Sequence, residues 1–151
     1  MNETEKEIVR IIEKYGCYVT SVFDPDGESP NFTYSTGITD TYGAPELIII
    51  GLNTDLAQSI VNNYAGRLKN GEEFTIGEFY EGFLEGFDVT FSGVSLKNKK
   101  EYMLSACWYN ADEFEALQLV YPTTSGVWPW DADASESFLS IQPSLATNSA
   151  W

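Results

Sequence analysis

Pro-Asn-Phe-Thr-Tyr-Ser-Thr-Gly-Ile-Thr-Asp-Thr-Tyr-Gly-Ala-Pro-Glu-Leu-Ile-Ile-Ile-Gly-Leu-Asn, residues 30–53, is the stretch whose reading decides the fold. Its first run, Phe32 to Ile38, sets Phe32, Tyr34 and Thr36 on one face and Thr33 and Ser35 on the other, the two-residue period of a strand. Its second run, Leu47 to Ile50, is continuously apolar and largely β-branched, as a strand covered on both faces must be. A loop carrying Gly43 and Pro45 joins them. The pair is predicted to form the centre of a sheet. It contains no Lys, Arg, His or Cys, and so brings little chemistry of its own.

Toward the N-terminus, Thr4 and Glu7 make a capping-box pattern ahead of Ile8, Ile11, Ile12 and Tyr15 at helical spacing. This predicts a helix over about residues 5–15, ended by Gly16. Cys17 to Phe23 reads as a strand, and Asp24-Pro25-Asp26-Gly27 as a turn in which Pro fixes φ and Gly permits a positive one. Beyond the central stretch, Asn53 or Thr54 caps a second helix. Its stripe is Leu56, Ala57, Ile60, Val61, Tyr64, Ala65 and Leu68, and Asn70-Gly71 ends it.

Residues 72–86 are acidic, aromatic and interrupted by Gly77, Gly82 and Gly86, and they read as an irregular segment with a short helical turn. Phe87, Val89 and Phe91 alternate as a half-exposed strand. Asn98 and Glu101 open a helix to about Tyr109, and Leu117, Leu119 and Tyr121 mark a further strand closed by Pro122. Ser125-Gly126 turns the chain into Val127-Trp128-Pro129-Trp130-Asp131. Residues 132–151, rich in Ser, Ala and Asp, read as a loosely held tail. The expectation is a single α+β domain over residues 1–131, with a central mixed or antiparallel sheet and about three helices.

The charge balance excludes more than it identifies. Twenty-three acids against 8 bases give a net charge of -15. Nucleic-acid binding rests on Lys and Arg neutralising phosphates, and anionic membranes demand the same residues, so neither partner is expected. A basic protein would be attracted and steered. The N-terminus is charged and lacks an apolar signal core, and no apolar run approaches the roughly 18 residues that span a bilayer. Cys17 and Cys107 stand apart as two reduced thiols, and a cytoplasmic location is expected.

Taken together, Pro30-x-Phe32-x-Tyr34-x-x-Gly37-Ile38, Gly43-x-Pro45-Glu46-Leu47 and Gly51-Leu52 resemble the bacterial domain of unknown function 4262 family. The likeness continues through Gly71-x-x-Phe74, Ala116-Leu117-Gln118-Leu119-Val120 and Trp128-Pro129-Trp130, and covers roughly residues 8–131. Gln142-Pro143 echoes the family's C-terminal end. Where many members carry a histidine this chain has Tyr18, and where Thr is common it has Ser35. The resemblance implies a fold and assigns no activity.

With no histidine anywhere, Ser-His and Cys-His dyads are excluded. Two scattered cysteines lack zinc spacing. Asp131-x-Asp133-x-Ser135 begins like a calcium loop, but Glu136 holds the required Gly position and Gln142 the bidentate Glu position. Asp24, Asp26 and Glu28 are accounted for by turn chemistry. No metal or cofactor is expected.

Three function classes remain. The first is a non-catalytic, immunity-like interaction module that binds a basic effector. Its contact region is predicted within Glu72 to Asp88, with Phe79, Tyr80 and Phe83 as apolar anchors between Glu78, Glu81 and Glu85. The second is a pocket for an aromatic or flavin-like ligand, drawn from Tyr34, Tyr42, Glu46, Trp128 and Trp130. The third is a carboxylate-based hydrolase, for which Glu46, beside the buried strand, is the acid of most interest.

Overall fold

A computed structural model describes residues 1–151. In chain order it holds α1 (Glu3–Tyr15), β1 (Tyr18–Val22), β2 (Phe32–Thr36), α2 (Ile38–Tyr42), β3 (Glu46–Ile50) and α3 (Thr54–Lys69). There follow β4 (Phe79–Leu84), β5 (Phe87–Gly93), α4 (Leu96–Tyr102), α5 (Leu104–Tyr109), β6 (Ala116–Val120) and α6 (Glu136–Ile141). The six strands make one sheet in the order β1-β2-β3-β6-β5-β4. β3 and β6 run parallel and every other neighbouring pair antiparallel, so the sheet is mixed and the chain is a single α+β domain.

The two runs pair as expected, but the middle of the sheet is β3 with β6, and β2 lies one strand in from the β1 edge. β2 and β3 pair with Thr33 opposite Ile49 and Tyr34 opposite Ile48, and all of β3 is buried. The alternation of β3 divides the core. Leu47 and Ile49 point to one face, with Leu117, Leu119, Val89 and Phe91, and are covered by Ala57, Ile60, Val61 and Tyr64 of α3. Ile48 and Ile50 point to the other, with Tyr34 and Ala116, under Met103 and Ala106 of the α4–α5 region and Leu145 of the C-terminal segment. Burying such a side chain stabilises the fold by about 1.5–3 kcal/mol, and here both faces of one strand contribute.

Local chemistry accounts for most element ends. α1 starts earlier than the Thr4–Glu7 pattern suggests, because Asn2 and Glu5 form the capping box instead. The Asn2 side chain accepts from Glu5 N at 2.8 Å, and Glu5 Oε1 accepts from Asn2 N at 3.0 Å. Asn53 caps α3, accepting from Asp55 N and Leu56 N. Gly37 links β2 to α2 at φ 98°, and a Cβ there would stand 2.9 Å from Ile12, so the crossing of α1 over this corner needs glycine.

Three expectations are corrected. There are six helices where about three were expected. α2, α4, α5 and α6 have only 5, 7, 6 and 6 residues, too few for an apolar period to show. The predicted helix ending at Tyr109 is two helices broken at Met103, and Ser95 caps the first of them. The segment 72–86, read as irregular, contains the edge strand β4; Gly82 falls in a register shift between Tyr80 and Leu84, not in a loss of pairing.

The stretch 132–151, read as a loosely held tail, is fastened by two buried glutamines. Gln142 exchanges hydrogen bonds with the Tyr121 backbone, accepting from N at 3.1 Å and donating to O at 2.9 Å. Gln118 donates to Pro143 O at 2.8 Å and accepts from Leu145 N at 3.0 Å. Asn98 Nδ2 and Ser95 N both donate to Leu145 O. Side-chain amides thus do here what strand pairing does elsewhere, and composition gives no warning of it.

Candidate functional site

The acid-rich edge comes first because the sequence nominated it. Glu78, Glu81 and Glu85 are all exposed. The three aromatics between them divide. Phe79 is 53% exposed, but Phe83 is 5% exposed and cannot serve as a docking anchor. Phe83 packs at 5.3 Å from the Phe74 ring and 5.8 Å from Phe91, with the Arg67 guanidinium 4.3 Å above it. Tyr80 is half-buried, edge-on to Phe74 at 5.0 Å. Phe79 and Phe83 are four residues apart and would share a face of a regular strand; the register shift between Tyr80 and Leu84 sends them to different environments, which a reading of this segment as irregular could not foresee.

Arg67 was not singled out from sequence. It donates to Glu81 O at 2.8 Å and pairs with the Glu72 carboxylate, while Asn63 Nδ2 donates to Gly82 O at 2.7 Å. Together they moor the edge strand to α3.

Phe79 joins an aromatic cluster on the sheet face away from α3. Trp128 and Trp130 stack with centroids 5.1 Å apart and planes 7° from parallel, and Phe79 meets Trp128 edge-on at 5.2 Å. Trp151 lies tilted at 6.4 Å from Trp130 and is held by its indole N–H donating to Gln142 O at 2.8 Å. The Trp128 turn is fixed by Asp131, whose carboxylate accepts from Trp128 N at 2.8 Å, and by the buried Pro129. Ile76, Phe79, Trp130 and Trp151 wall a surface cavity of about 410 Å³ that also touches Thr90 and Ser92. Sequence reasoning named Phe79, Trp128 and Trp130 but assigned them to two different hypotheses. It does not point to Ile76 or Trp151, the latter because the composition of residues 132–151 reads as a loose tail.

Glu46 is wholly buried. Its Oε1 accepts from Ser35 Oγ at 2.7 Å and Ile38 N at 3.0 Å. Its Oε2 accepts from Gly37 N at 3.1 Å, Thr39 N at 3.2 Å and Asn110 Nδ2 at 3.1 Å. The carboxylate therefore closes the N-terminus of α2, which has no side-chain cap of its own. Burial pushes its carboxyl above the usual range, and the donors, Ser35 foremost, work against that shift. All five partners are donors, so the ionised form is the one they fit. No oxygen is left to face a substrate, and a catalytic role for Glu46 finds no opening here.

The other proposed pocket residues do not meet. Tyr34 is 2% exposed beneath α5, its hydroxyl accepting from Ser105 N at 3.1 Å. Tyr42 lines a different cavity, of about 410 Å³, with Pro45, Tyr64 and Glu73. The two tryptophans sit at the far edge of the sheet, so the five residues do not form one ligand site.

Cys17 is buried and Cys107 half-buried, and both are free thiols. Burial, and secondly the Glu46 charge, pushes Cys17 up to about 11, which suppresses its nucleophilic form. Cys107 is also raised, first by burial and then by its Asp112 hydrogen bond. Asp24 accepts backbone N–H bonds from Asp26, Glu28 and Ser29 that hold its carboxyl below the usual range, as the turn reading requires. No three or more His, Cys, Asp or Glu side chains converge on a metal-sized point. No helix is long and apolar enough to cross a membrane.

Residues 11–135 match the family described as Domain of unknown function (DUF4262), and the chain belongs to that family. Comparison with curated proteins gives no match, and comparison with solved structures gives none either.

Proposed function

We propose that this member of the DUF4262 family is a non-catalytic, immunity-like interaction module of the cytoplasm, which captures a basic protein at its β4 edge. One observation carries the reading. A contiguous exposed apolar surface, with Ile76 58%, Phe79 53% and Trp130 44% exposed, lies beside a strand that bears Glu81 and is flanked by Glu78 and Glu85, in a chain of net charge -15. Exposed aromatic patches rimmed by charge mark interaction surfaces. The acids supply a long-range field that steers a positive partner, and the aromatics supply short-range contact once it arrives.

The competing classes have less support. The carboxylate of most interest for hydrolysis is sealed, and the residues nominated for a flavin-like ligand are dispersed.

The test uses the isotopically labelled chain titrated with a lysine- and arginine-rich peptide, followed by amide shifts. Perturbations are expected at residues 76–85 and 128–133, and they should weaken as salt rises from about 50 to 500 mM, because screening shortens the field. Replacing Glu78, Glu81 and Glu85 with Gln should weaken binding without lowering stability. Shifts centred elsewhere, or indifference to both salt and the triple replacement, would sink the reading.

A further inference from the structure

We propose that the cavity walled by Ile76, Phe79, Trp130 and Trp151 is an arginine slot, which takes one guanidinium of the basic partner. This rests on the reading of the β4 edge as the docking surface and names the chemistry at its centre.

The volume, about 410 Å³, lies within the roughly 300–1,000 Å³ of small-molecule pockets, enough for one side chain to enter. Its walls are aromatic, and an indole face is the best π-surface for a cation. Within the chain, the cations that lie over rings take Tyr15, Phe74, Phe83 and Phe114, so every indole face is left without a cation. Trp128 backs Trp130 by stacking and holds its ring flat against one side, while Trp151 is pinned by its bond to Gln142. The slot is therefore preorganised, and little ordering remains to be done on binding.

Charge selects the occupant. The exposed Asp131 follows Trp130, its carboxylate accepting from Trp128 N, and the exposed Glu78 precedes Phe79 but turns its carboxylate to the Tyr80 hydroxyl, so the negative charge lies around the cavity and not in its wall. Thr90 and Ser92 add hydroxyls at the cavity wall. Thr90 Oγ1 spends its proton on Glu78 O at 2.6 Å, which leaves its lone pairs to accept. Acceptors and π-faces without a nearby donor cation suit a flat, weakly hydrated, many-donor cation. Guanidinium meets that description, whereas an ammonium is compact, strongly hydrated and costs more to strip of water.

The experiment uses a capped glycine–serine peptide carrying spaced arginines, matched by peptides with lysine or citrulline at the same positions. Binding is read by indole emission and by amide shifts. The arginine peptide should bind about tenfold more tightly than the lysine peptide, a difference of about 1.4 kcal/mol, and the citrulline peptide more weakly than either. Trp130→Leu, at an exposed position, should erase the arginine-over-lysine preference while leaving charge-driven binding of both, and Phe79→Leu should reduce the preference. The triple Gln replacement of Glu78, Glu81 and Glu85 should weaken arginine and lysine peptides alike.

Equal binding of arginine and lysine, citrulline binding as well as arginine, or a preference that survives Trp130→Leu would each overturn the slot. Charge-dependent binding without arginine preference removes the slot and leaves the docking edge standing. Failure of both cationic peptides to bind at low salt removes the docking edge and the slot together.

Discussion

Replacing Glu46 with Gln keeps the shape of a wholly buried side chain and exchanges one acceptor oxygen for a donor. The five groups around it are all donors. If the amide nitrogen takes the Oε2 position, it confronts Gly37 N–H, Thr39 N–H and the Asn110 amide. The Oε1 position is less costly: Ser35 can turn, but Ile38 N–H still loses its acceptor. A buried donor left unsatisfied costs about 1–3 kcal/mol, and the remaining bonds fall from charge-assisted to neutral strength, a further loss of about 1 kcal/mol or more. Relief of the desolvation that raises the carboxyl returns part of this. The expected net loss is about 2–4 kcal/mol in urea denaturation at pH 7 with an unchanged m-value. A loss below about 0.5 kcal/mol, or a gain, would mean that Glu46 is protonated in the folded chain and that the ionised-cap argument is wrong.

Three further outcomes are expected. Ile49→Ala, on the α3 face of the central strand, should cost about 2–5 kcal/mol by chemical denaturation; a loss under about 0.5 kcal/mol would deny β3 its place in the core. Gln142→Ala leaves Tyr121 N–H and C=O unpaired and should lower stability by about 2–5 kcal/mol; protease resistance of residues 132–151 equal to that of the parent would show the clamp to be dispensable. For Cys17 the folded thiol titrates at about 11, above its ordinary value of 9.0, so the folded state retains the proton longer than the unfolded one. Stability should therefore fall as pH rises from about 9 to 11, by up to about 2–3 kcal/mol, and the fall should be shallower in Cys17→Ala. Parallel pH profiles for the two chains would refute it.

How much could be read in advance depended on the range of the interactions. β2, β3 and α3 were legible because apolar period and length are properties of contiguous residues, and the Asn53 cap likewise lies beside its helix. β4 was not, because its glycines look like breakers until β5 is there to pair with it. The C-terminal segment was not, because Gln118 and Gln142 read as ordinary polar residues, and their meaning lies in backbone groups more than twenty positions away. The aromatic cavity shares that difficulty. Ile76, Phe79, Trp130 and Trp151 come from three separate stretches, and only the assembled sheet and the fastened C-terminal segment bring them together.

This assembly also explains why the acidity and the aromatic surface belong together. An exposed edge strand with an apolar patch invites pairing with a second copy of the same chain. Here every copy carries a net charge of -15, and the edge itself carries the exposed Glu78, Glu81 and Glu85 with Asp131 beside Trp130, so two such edges repel as they approach. A basic partner meets the opposite field. The same carboxylates therefore disfavour self-association and favour the docking proposed for that edge, which is discrimination by charge rather than by area. Neutralising Glu78, Glu81 and Glu85 should accordingly raise the tendency to self-associate while it weakens capture of a cationic peptide, and sedimentation of the triple Gln chain at low salt measures the first effect. A triple variant that stays as monodisperse as its parent would mean that the acids do not guard this edge.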